Sequence, residues 1–174
     1  MRWGGIAAGL IVLSLAAPAF GAATRAEYVA QVDPICQKGQ QDMIAEAKRQ
    51  RPAVKRIRRK LKDLADSLTD EQENALLGKL AAREFSPTLK VFGGVTGQIA
   101  AVAPVPTDQT AVTQWLTARR SYLALIQRAI RAARQGKSPR ENDLIEKATG
   151  VIIEGEIPVE GFGFRFCLLS SPQD

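Results

Sequence analysis

Apolar residues recur at helical spacing through almost all of the chain after residue 24, and this period excludes folds built mainly from β-sheet. In the clearest stretch, steps of three and four residues place one series on a single helix face: Val54, Ile57, Leu61, Leu64 and Leu68. Nothing in the composition divides residues 24–174 into two units. The spacing therefore predicts a single all-α domain, an antiparallel bundle of four to five helices with an irregular C-terminal tail.

Short polar motifs predict where these helices begin. Residues 24–27 and 69–72 each have the spacing of a capping box, in which a threonine caps the helix and a Glu or Gln three residues later caps the threonine. Thr107 or Asp108 is expected to cap a third long helix, and Ser138 is expected to cap the last one.

Prolines and glycines inside the pattern predict interruptions. Pro34 is expected to kink the first helix or to separate its first turns, and Pro52 is expected to break it again. Pro87, which follows a serine, predicts either a kink or the start of another helix. Three glycines within residues 93–97 are unfavourable in a helix, and we expect that they let another helix approach closely.

The N-terminus predicts a secretory signal peptide over residues 1–23. Arg2 precedes an apolar run over residues 6–20, and the small residues that follow offer cleavage after Gly21 or after Ala23. The run is shorter than the roughly 20 apolar residues that a membrane span needs, and an uncleaved N-terminal anchor is the alternative. Loss of Arg2 lowers the net charge from +6 to +5. The predicted location is extracytoplasmic, either secreted or in the cell envelope.

The chain has two cysteines, Cys36 and Cys167, and they lie near the two ends of residues 24–174. Outside the cytoplasm a cysteine pair can be oxidised and stay oxidised, and two cysteines allow one intramolecular pairing. We therefore expect a disulfide that closes a loop of about 130 residues and stabilises the fold by about 5 kcal/mol in the chain-entropy description. Two free buried thiols are the alternative.

The segment after residue 154 is rich in glycine and is expected to be irregular or partly extended. Phe162, Phe164 and Phe166 alternate with other residues, which is a strand-like period, although no second strand is evident as a partner. We expect this tail to lie across the bundle, with some of its phenylalanines buried beside Cys167 and the disulfide holding it in place.

The absence of histidine removes the usual general base, the Ser-His-Asp and Cys-His types of catalysis, and nearly all zinc sites. The glycine-rich residues 92–98 lack the features of a phosphate-binding loop. We therefore predict a protein that is not an enzyme, with no catalytic residue, no metal and no cofactor.

Carboxylates are the remaining candidates for catalysis, and they form two groups in the sequence. One group lies near a helix start and the other near the tail: Asp70, Glu71 and Glu73, and then Glu154, Glu156 and Glu160. A carboxylate-dependent hydrolase is therefore an alternative function. Helix capping accounts for the first group, and we interpret the second group as glutamates in solvated turns.

A run of basic residues is the strongest positive feature, with nine basic residues and no acid over residues 48–62. It predicts a basic face opposite the apolar series: Lys55, Arg56, Arg58, Arg59, Lys60 and Lys62. Such a face suits anionic lipids, an anionic cell-wall polymer or an envelope protein. The export signal and the lack of aromatic residues in the run argue against nucleic acid. A solvated face that is paired with acids of neighbouring helices is the alternative.

Trp115 and Tyr122 share a helix face two turns apart. They are candidates for the lining of a pocket that binds a small apolar ligand between helices. Aromatic residues at such spacing are more often part of the core, and this is the alternative interpretation.

Several segments together resemble a loose group of small exported helical proteins of unknown function. These are the signal peptide, the segment YVAQVDPICQ, the helical segment WLTARRSYLALIQRAIRA and the closing GFGFRFC, whereas the stretch IIEGEIPVEG departs from the pattern. The resemblance implies a helical bundle with a terminal disulfide and brings no catalytic residue. The export signal and the basic run, rather than the resemblance, predict a non-enzymatic exported module that binds an anionic surface or a partner in the cell envelope.

Overall fold

A computed structural model describes residues 22–64 and 66–169. This part of the chain forms four helices, α1 Arg25–Asp63, α2 Asp70–Ala100, α3 Gln109–Arg134 and α4 Ser138–Glu156, and two short 3₁₀ helices, Pro106–Asp108 and Ile157–Phe162. These residues contain no strand, so the predicted all-α class is confirmed. The predicted signal peptide falls on residues 1–21, which lie outside the described residues, and on Ala22 and Ala23.

Capping boxes form the starts of α1 and α2, as predicted. Thr24 Oγ1 accepts a hydrogen bond from the backbone N–H of Glu27 at 3.2 Å, and Glu27 Oε2 accepts one from the N–H of Thr24 at 3.2 Å. Thr69 and Gln72 make the same reciprocal pair at the start of α2. Each box satisfies two of the backbone donors that a helix start leaves without a partner.

The starts of α3 and α4 lack this kind of cap. Asp108 precedes α3 and Lys137 precedes α4, and neither side chain makes a capping hydrogen bond. The cap of α4, which was expected at Ser138, therefore lies one residue earlier in the chain, at Lys137. Asp108 instead forms an ion pair with Arg25 of α1 at 2.6 Å, so its carboxylate joins two helices rather than capping one.

The prolines do not interrupt their helices. α1 continues through Pro34 and Pro52, and α2 continues through Pro87, so the predicted break at Pro52 is wrong. A proline inside a helix removes one backbone hydrogen bond and costs about 3 kcal/mol. Pro34 and Pro52 are both exposed, so water can hydrate the carbonyl groups that lose their partners. Elsewhere along its length α1 packs against α2.

Each helix packs mainly on its neighbours in sequence. Within the described residues, the extensive helix interfaces join α1 to α2, α2 to α3 and α3 to α4. Gly78 lets α2 approach α3 closely, since a Cβ at this position would lie 2.6 Å from the Cα of Arg134, and Gly155 lets α4 approach Ala118 of α3 in the same way. The close approach predicted at residues 93–97 is wrong, because a Cβ on those glycines would meet no atom closer than 3.7 Å.

Buried side chains form two clusters. The disulfide core joins the start of α1, the end of α2, the start of α3 and the tail: Ala22, Tyr28, Val32, Cys36, Val95, Ile99, Val112, Trp115, Leu116, Val159, Phe164, Cys167 and Leu168. The α3 core joins α2, α3 and α4: Leu89, Leu125, Ile126, Ala129, Ile130, Ala132, Leu144 and Ala148. Beyond Gly39, α1 buries no residue, so most of α1 covers the outside of α2 without entering a core.

The tail after α4 is irregular, as predicted, and crosses the first helix. Gly163 has a φ of 85°, a left-handed conformation that glycine adopts without strain, and it ends the second 3₁₀ helix. Asp33 of α1 then accepts hydrogen bonds from the backbone N–H groups of Arg165 and Phe166 at 3.0 and 3.1 Å. These bonds attach the tail to α1.

The alternating phenylalanines have a strand-like period in the sequence, but in the structure they do not form a strand. Residues 157–162 form the 3₁₀ helix, and the backbone that follows bonds to the Asp33 side chain rather than to another strand. Phe164 is buried and stacks on Trp115 with the ring centroids 5.3 Å apart, while Phe162 and Phe166 are partly buried. The predicted burial of phenylalanines beside Cys167 is thus confirmed.

Candidate functional site

Cys36 and Cys167 form the predicted disulfide, with their Cα atoms 5.1 Å apart. Both cysteines are buried in the disulfide core, and the chain has no free thiol. The alternative of two free thiols is therefore wrong. A disulfide is compatible with a location outside the cytoplasm.

Arg119 of α3 is buried beside this bond, and the sequence analysis missed it. Its guanidinium donates hydrogen bonds to the backbone carbonyl of Cys167 at 3.2 Å and to Thr96 Oγ1 at 3.3 Å, and it lies over the ring of Phe92 at 4.1 Å. Burial lowers the pKa of Arg119 to about 10, and the charge of Glu156 opposes this shift. Arg119 therefore stays charged at neutral pH and ties the tail to α3.

Glu156 supplies the opposite charge and is fully buried at the end of α4. Its carboxylate accepts a hydrogen bond from the backbone N–H of Leu169 at 2.7 Å. The interpretation of Glu156 as a solvated glutamate is therefore wrong, because the tail folds back over it. One signal in the sequence was available for its partner: Arg119 follows Trp115 by four residues and so belongs to the apolar face of α3.

The other candidate carboxylates are exposed to solvent. Asp70, Glu71 and Glu73 lie in the first turn of α2, and Glu154 and Glu160 flank the end of α4. In residues 22–64 and 66–169, no group of three or more His, Cys, Asp or Glu side chains is placed to hold a metal ion. The structure thus places these acidic residues in the first turn of α2, at the buried end of α4 and in solvent.

Trp115 and Tyr122 do not line a common pocket. Trp115 is completely buried in the disulfide core, where it stacks on Phe164. Tyr122 packs against Phe92 with the ring centroids 5.5 Å apart and lines a separate groove. Burial raises the pKa of the Tyr122 hydroxyl. Of the two predicted pocket residues, Tyr122 is therefore the one that a ligand can reach.

An apolar groove opens between α2 and α4, both of which pack on α3. This α2–α4 groove has a volume of about 230 Å³, and its walls include Phe85, Leu89, Phe92, Tyr122, Ile126, Ile145 and Leu169. Three of these side chains stay open to solvent at its edge, Phe85 at 46%, Ile145 at 37% and Leu169 at 47% of their surface. Concave apolar sites with few polar groups are typical of sites that bind small hydrophobic molecules.

Few polar groups reach the walls of the α2–α4 groove. Thr88 and Thr149 donate their hydroxyl hydrogens to the carbonyls of Phe85 and Ile145 in their own helices, so the threonines add little polarity. Glu141 of α4 is the charged residue in the lining. Desolvation raises the pKa of Glu141, as expected for a carboxylate that borders an apolar space.

The predicted basic face of α1 is exposed to solvent. This holds for each of its six residues, Lys55, Arg56, Arg58, Arg59, Lys60 and Lys62. Among the described residues, Arg58 forms an ion pair with Glu84 of α2, and the other five have no acidic partner. Pairing with acids of neighbouring helices therefore accounts for one of these cations, and the other five are solvated.

No protein-family model, no curated protein and no solved structure shows significant similarity to this chain. Within the two described stretches, no helix combines the length and the hydropathy of a membrane span. The basic face and the α2–α4 groove are therefore the features from which a function can be inferred.

Proposed function

We propose that the protein is an exported, non-enzymatic binding module that contacts an anionic surface of the cell envelope through the basic face of α1. The observation that carries the proposal is the exposure of all six cations on a helix segment that buries no residue. Each Lys or Arg near an anionic lipid surface contributes about 1 kcal/mol of attraction. Several cations on one exposed face therefore give useful affinity without any apolar insertion.

Co-sedimentation with vesicles tests this proposal. We expect the oxidised protein to bind vesicles that contain phosphatidylglycerol and not vesicles of phosphatidylcholine alone. Binding should disappear between 0.1 M and 1 M salt, where the screening length falls from about 10 Å to about 3 Å. The double substitution Arg56→Glu and Arg59→Glu should weaken binding at least about 30-fold, since it removes two attractive charges.

A matched double substitution separates the basic face from net charge. Arg128→Glu and Lys147→Glu change the total charge equally, and both residues are exposed on α3 and α4. This control should change vesicle binding far less than the substitutions in α1. Equal losses in the two double variants, or binding that salt does not weaken, would refute the role of the basic face.

A second candidate function is supported by the α2–α4 groove, which we propose binds a small apolar molecule. The supporting observation is the exposed apolar edge at Phe85, Ile145 and Leu169 around a cavity of about 230 Å³. Apolar side chains that are exposed together around one concavity are typical of interaction and ligand-binding sites. Tyr122 lies in this lining, so the predicted apolar-ligand site is retained there without Trp115.

Fluorescence of a neutral apolar dye such as Nile red tests the groove. Thr149→Trp places a large ring in the lining and should abolish the enhanced dye emission. Thr117→Trp is the matched control, because both threonines are exposed and both donate to a carbonyl four residues earlier, but Thr117 lies outside the lining. Dye emission that both variants leave unchanged would contradict binding in the groove.

We also propose that export is followed by cleavage after Gly21 rather than after Ala23. The disulfide supports export. Ala22 is buried in the disulfide core, and its N–H donates to the carbonyl of Ala103 at 3.3 Å. Cleavage after Ala23 would remove these contacts. N-terminal sequencing of the native protein should therefore begin at Ala22, and a sequence that begins at Thr24 would contradict this proposal.

The antiparallel order of the helices is likewise a proposal. Gly39 of α1 lies against Val95 of α2, whereas Arg58, later in α1, pairs with Glu84, earlier in α2. Residue numbers thus rise along one helix and fall along the other. This pairing supports an up-and-down course of the chain.

A further inference from the structure

Phe85 of α2 lies between the α2–α4 groove and the basic segment of α1. On one side it lines the groove together with Leu89 and Ile145. On the other side it lines a shallow depression together with Arg51 and Arg58 of α1. An apolar cavity and a pair of guanidinium groups therefore meet at one exposed aromatic side chain.

The depression beside Phe85 carries two guanidinium groups and one carboxylate, those of Arg51, Arg58 and Glu84. Glu84 pairs with Arg58, but within the described residues Arg51 has no acidic partner. The charge next to the groove therefore favours a ligand whose polar end is an anion.

The apolar end of such a ligand fits the groove. Its volume of about 230 Å³ and its apolar lining give room for an alkyl chain, and its described wall carries one charged residue, Glu141.

We propose that the α2–α4 groove and Arg51 form one site for an anionic amphiphile, with an alkyl chain in the groove and a phosphate or carboxylate head beside Arg51. The inference rests on the second candidate function and adds the charge of the head. Its occupant is a monomeric molecule, whereas the basic face from Lys55 to Lys62 contacts an extended surface.

Glu141 defines the competing possibility. Its carboxylate borders the groove from α4, whereas Arg51 borders the depression from α1. A cationic amphiphile would place its head at Glu141, and an anionic one places its head at the α1 edge. Because Glu84 pairs with Arg58, the charge beside Phe85 that has no acidic partner among the described residues is that of Arg51, and it favours the anion at the α1 edge.

Calorimetric titration of the oxidised protein with alkyl phosphates of increasing chain length, below their micelle concentrations, tests the site. Each added methylene that becomes buried should raise the affinity about fourfold, from about 0.8 kcal/mol per methylene. An affinity that does not rise with chain length, or no binding at any length, would overturn the proposal without any variant being needed.

Variants locate the two ends of the ligand. Arg51→Glu should weaken decyl phosphate binding at least about tenfold, because a hydrogen bond to a charged group is lost. Arg128→Glu, an exposed site on α3 with the same change of charge, should weaken it less than twofold. Thr149→Trp should abolish binding and Thr117→Trp should not. Equal effects within either pair of variants would overturn the proposal.

The opposite head charge and the vesicle assay separate this inference from the functions proposed above. Decyltrimethylammonium should bind more weakly than decyl phosphate. If decyltrimethylammonium binds more tightly, and Glu141→Gln abolishes that binding, the site takes a cationic ligand instead. Nile red binding without alkyl phosphate binding would refute the composite site and leave the apolar groove. Vesicle binding without either would refute the groove and leave the basic face.

Discussion

The two ends of the molecule are stabilised in different ways. At the disulfide end, α1, α2, α3 and the tail enclose a core in which Val32, Ile99 and Trp115 expose no surface. At the groove end, around the turn between α3 and α4, the α3 core contains no residue of α1. Apolar side chains such as Phe85 and Ile145 stay open to solvent there. One helical period in the sequence thus produces a closed core at one end and an open groove at the other.

The tail accounts for this difference. The 3₁₀ helix Ile157–Phe162 contacts α1, α3 and α4, and it fills the space between the first and last helices at the disulfide end. At the groove end the described part of the tail contributes Leu169 to the edge, and this side chain stays 47% exposed. The apolar face of α1 there, with Val54, Ile57 and Leu61, is only half-buried. An amphipathic pattern therefore predicts which face is apolar, but not whether another element covers it.

Removal of the disulfide should have the largest effect on the closed end. Reduction should lower the free energy of unfolding by about 5 kcal/mol, because the unfolded chain regains the freedom of a loop of more than 100 residues. Urea denaturation with and without a reductant measures the change. The variant with Cys36→Ser and Cys167→Ser should match the reduced protein and show no response to the reductant. A reductant-independent midpoint in the native protein would contradict the structural role of the bond.

Loss of the buried Arg119 charge should follow in size. Arg119→Met should lower the free energy of unfolding by about 3–5 kcal/mol, because it removes a buried cation that interacts with the charge of Glu156 and donates hydrogen bonds to Cys167 and Thr96. Arg120→Met, at the exposed neighbouring position, should change stability by less than about 0.5 kcal/mol. Adding Glu156→Gln to Arg119→Met should recover part of the loss in a double-mutant cycle. Strictly additive losses would show that the two groups do not interact.

A pair of isoleucines compares the two ends directly. Ile99→Ala, at a fully buried position of the disulfide core, should cost about 2–5 kcal/mol because it leaves a cavity. Ile57→Ala, at a half-buried position of α1 near the groove end, should cost about 1 kcal/mol. Chemical denaturation of both variants checks the difference. Similar costs would mean that α1 is covered at both ends.

The smallest effect is expected from the ion pair between Arg25 and Asp108 at the disulfide end. The hydrogen bond from Arg25, and then its charge, lower the pKa of Asp108 from its ordinary value of 3.8, although burial opposes the shift. A depressed acid pKa stabilises the fold above the ordinary value and loses this effect as the pH falls through the folded-state pKa.

Stability measured from pH 5 to pH 2 checks this sign. The native protein should lose stability more steeply below about pH 3.8 than Asp108→Asn does, because the variant has no carboxylate to protonate. Asp143→Asn, at an exposed position of α4, is the matched control and should follow the native curve. If the Asp108→Asn curve also follows the native one, the ion pair makes no contribution to the pH dependence of stability.

The candidate site was only partly predictable. The basic face was found from the run of cations alone, since long charged side chains on a helix stay in water unless something covers them. Tyr122 was identified as a pocket residue, but its pairing with Trp115 did not hold. The two share a helix face, yet the tail covers Trp115 with Phe164 and leaves Tyr122 beside the groove. Contacts of this kind depend on residues far away in the sequence.

Local information in the sequence determined the helices, the capping boxes at Thr24 and Thr69, and the single possible disulfide, because these depend on neighbouring residues or on a count of two cysteines. Only the tertiary structure decided that α1 runs through its prolines, that Arg119 and Glu156 are buried together, and that a groove opens between α2 and α4. The physical reason is that burial is set by which elements meet in space. A side chain that would be solvated on an isolated helix becomes a core residue once a distant segment packs over it.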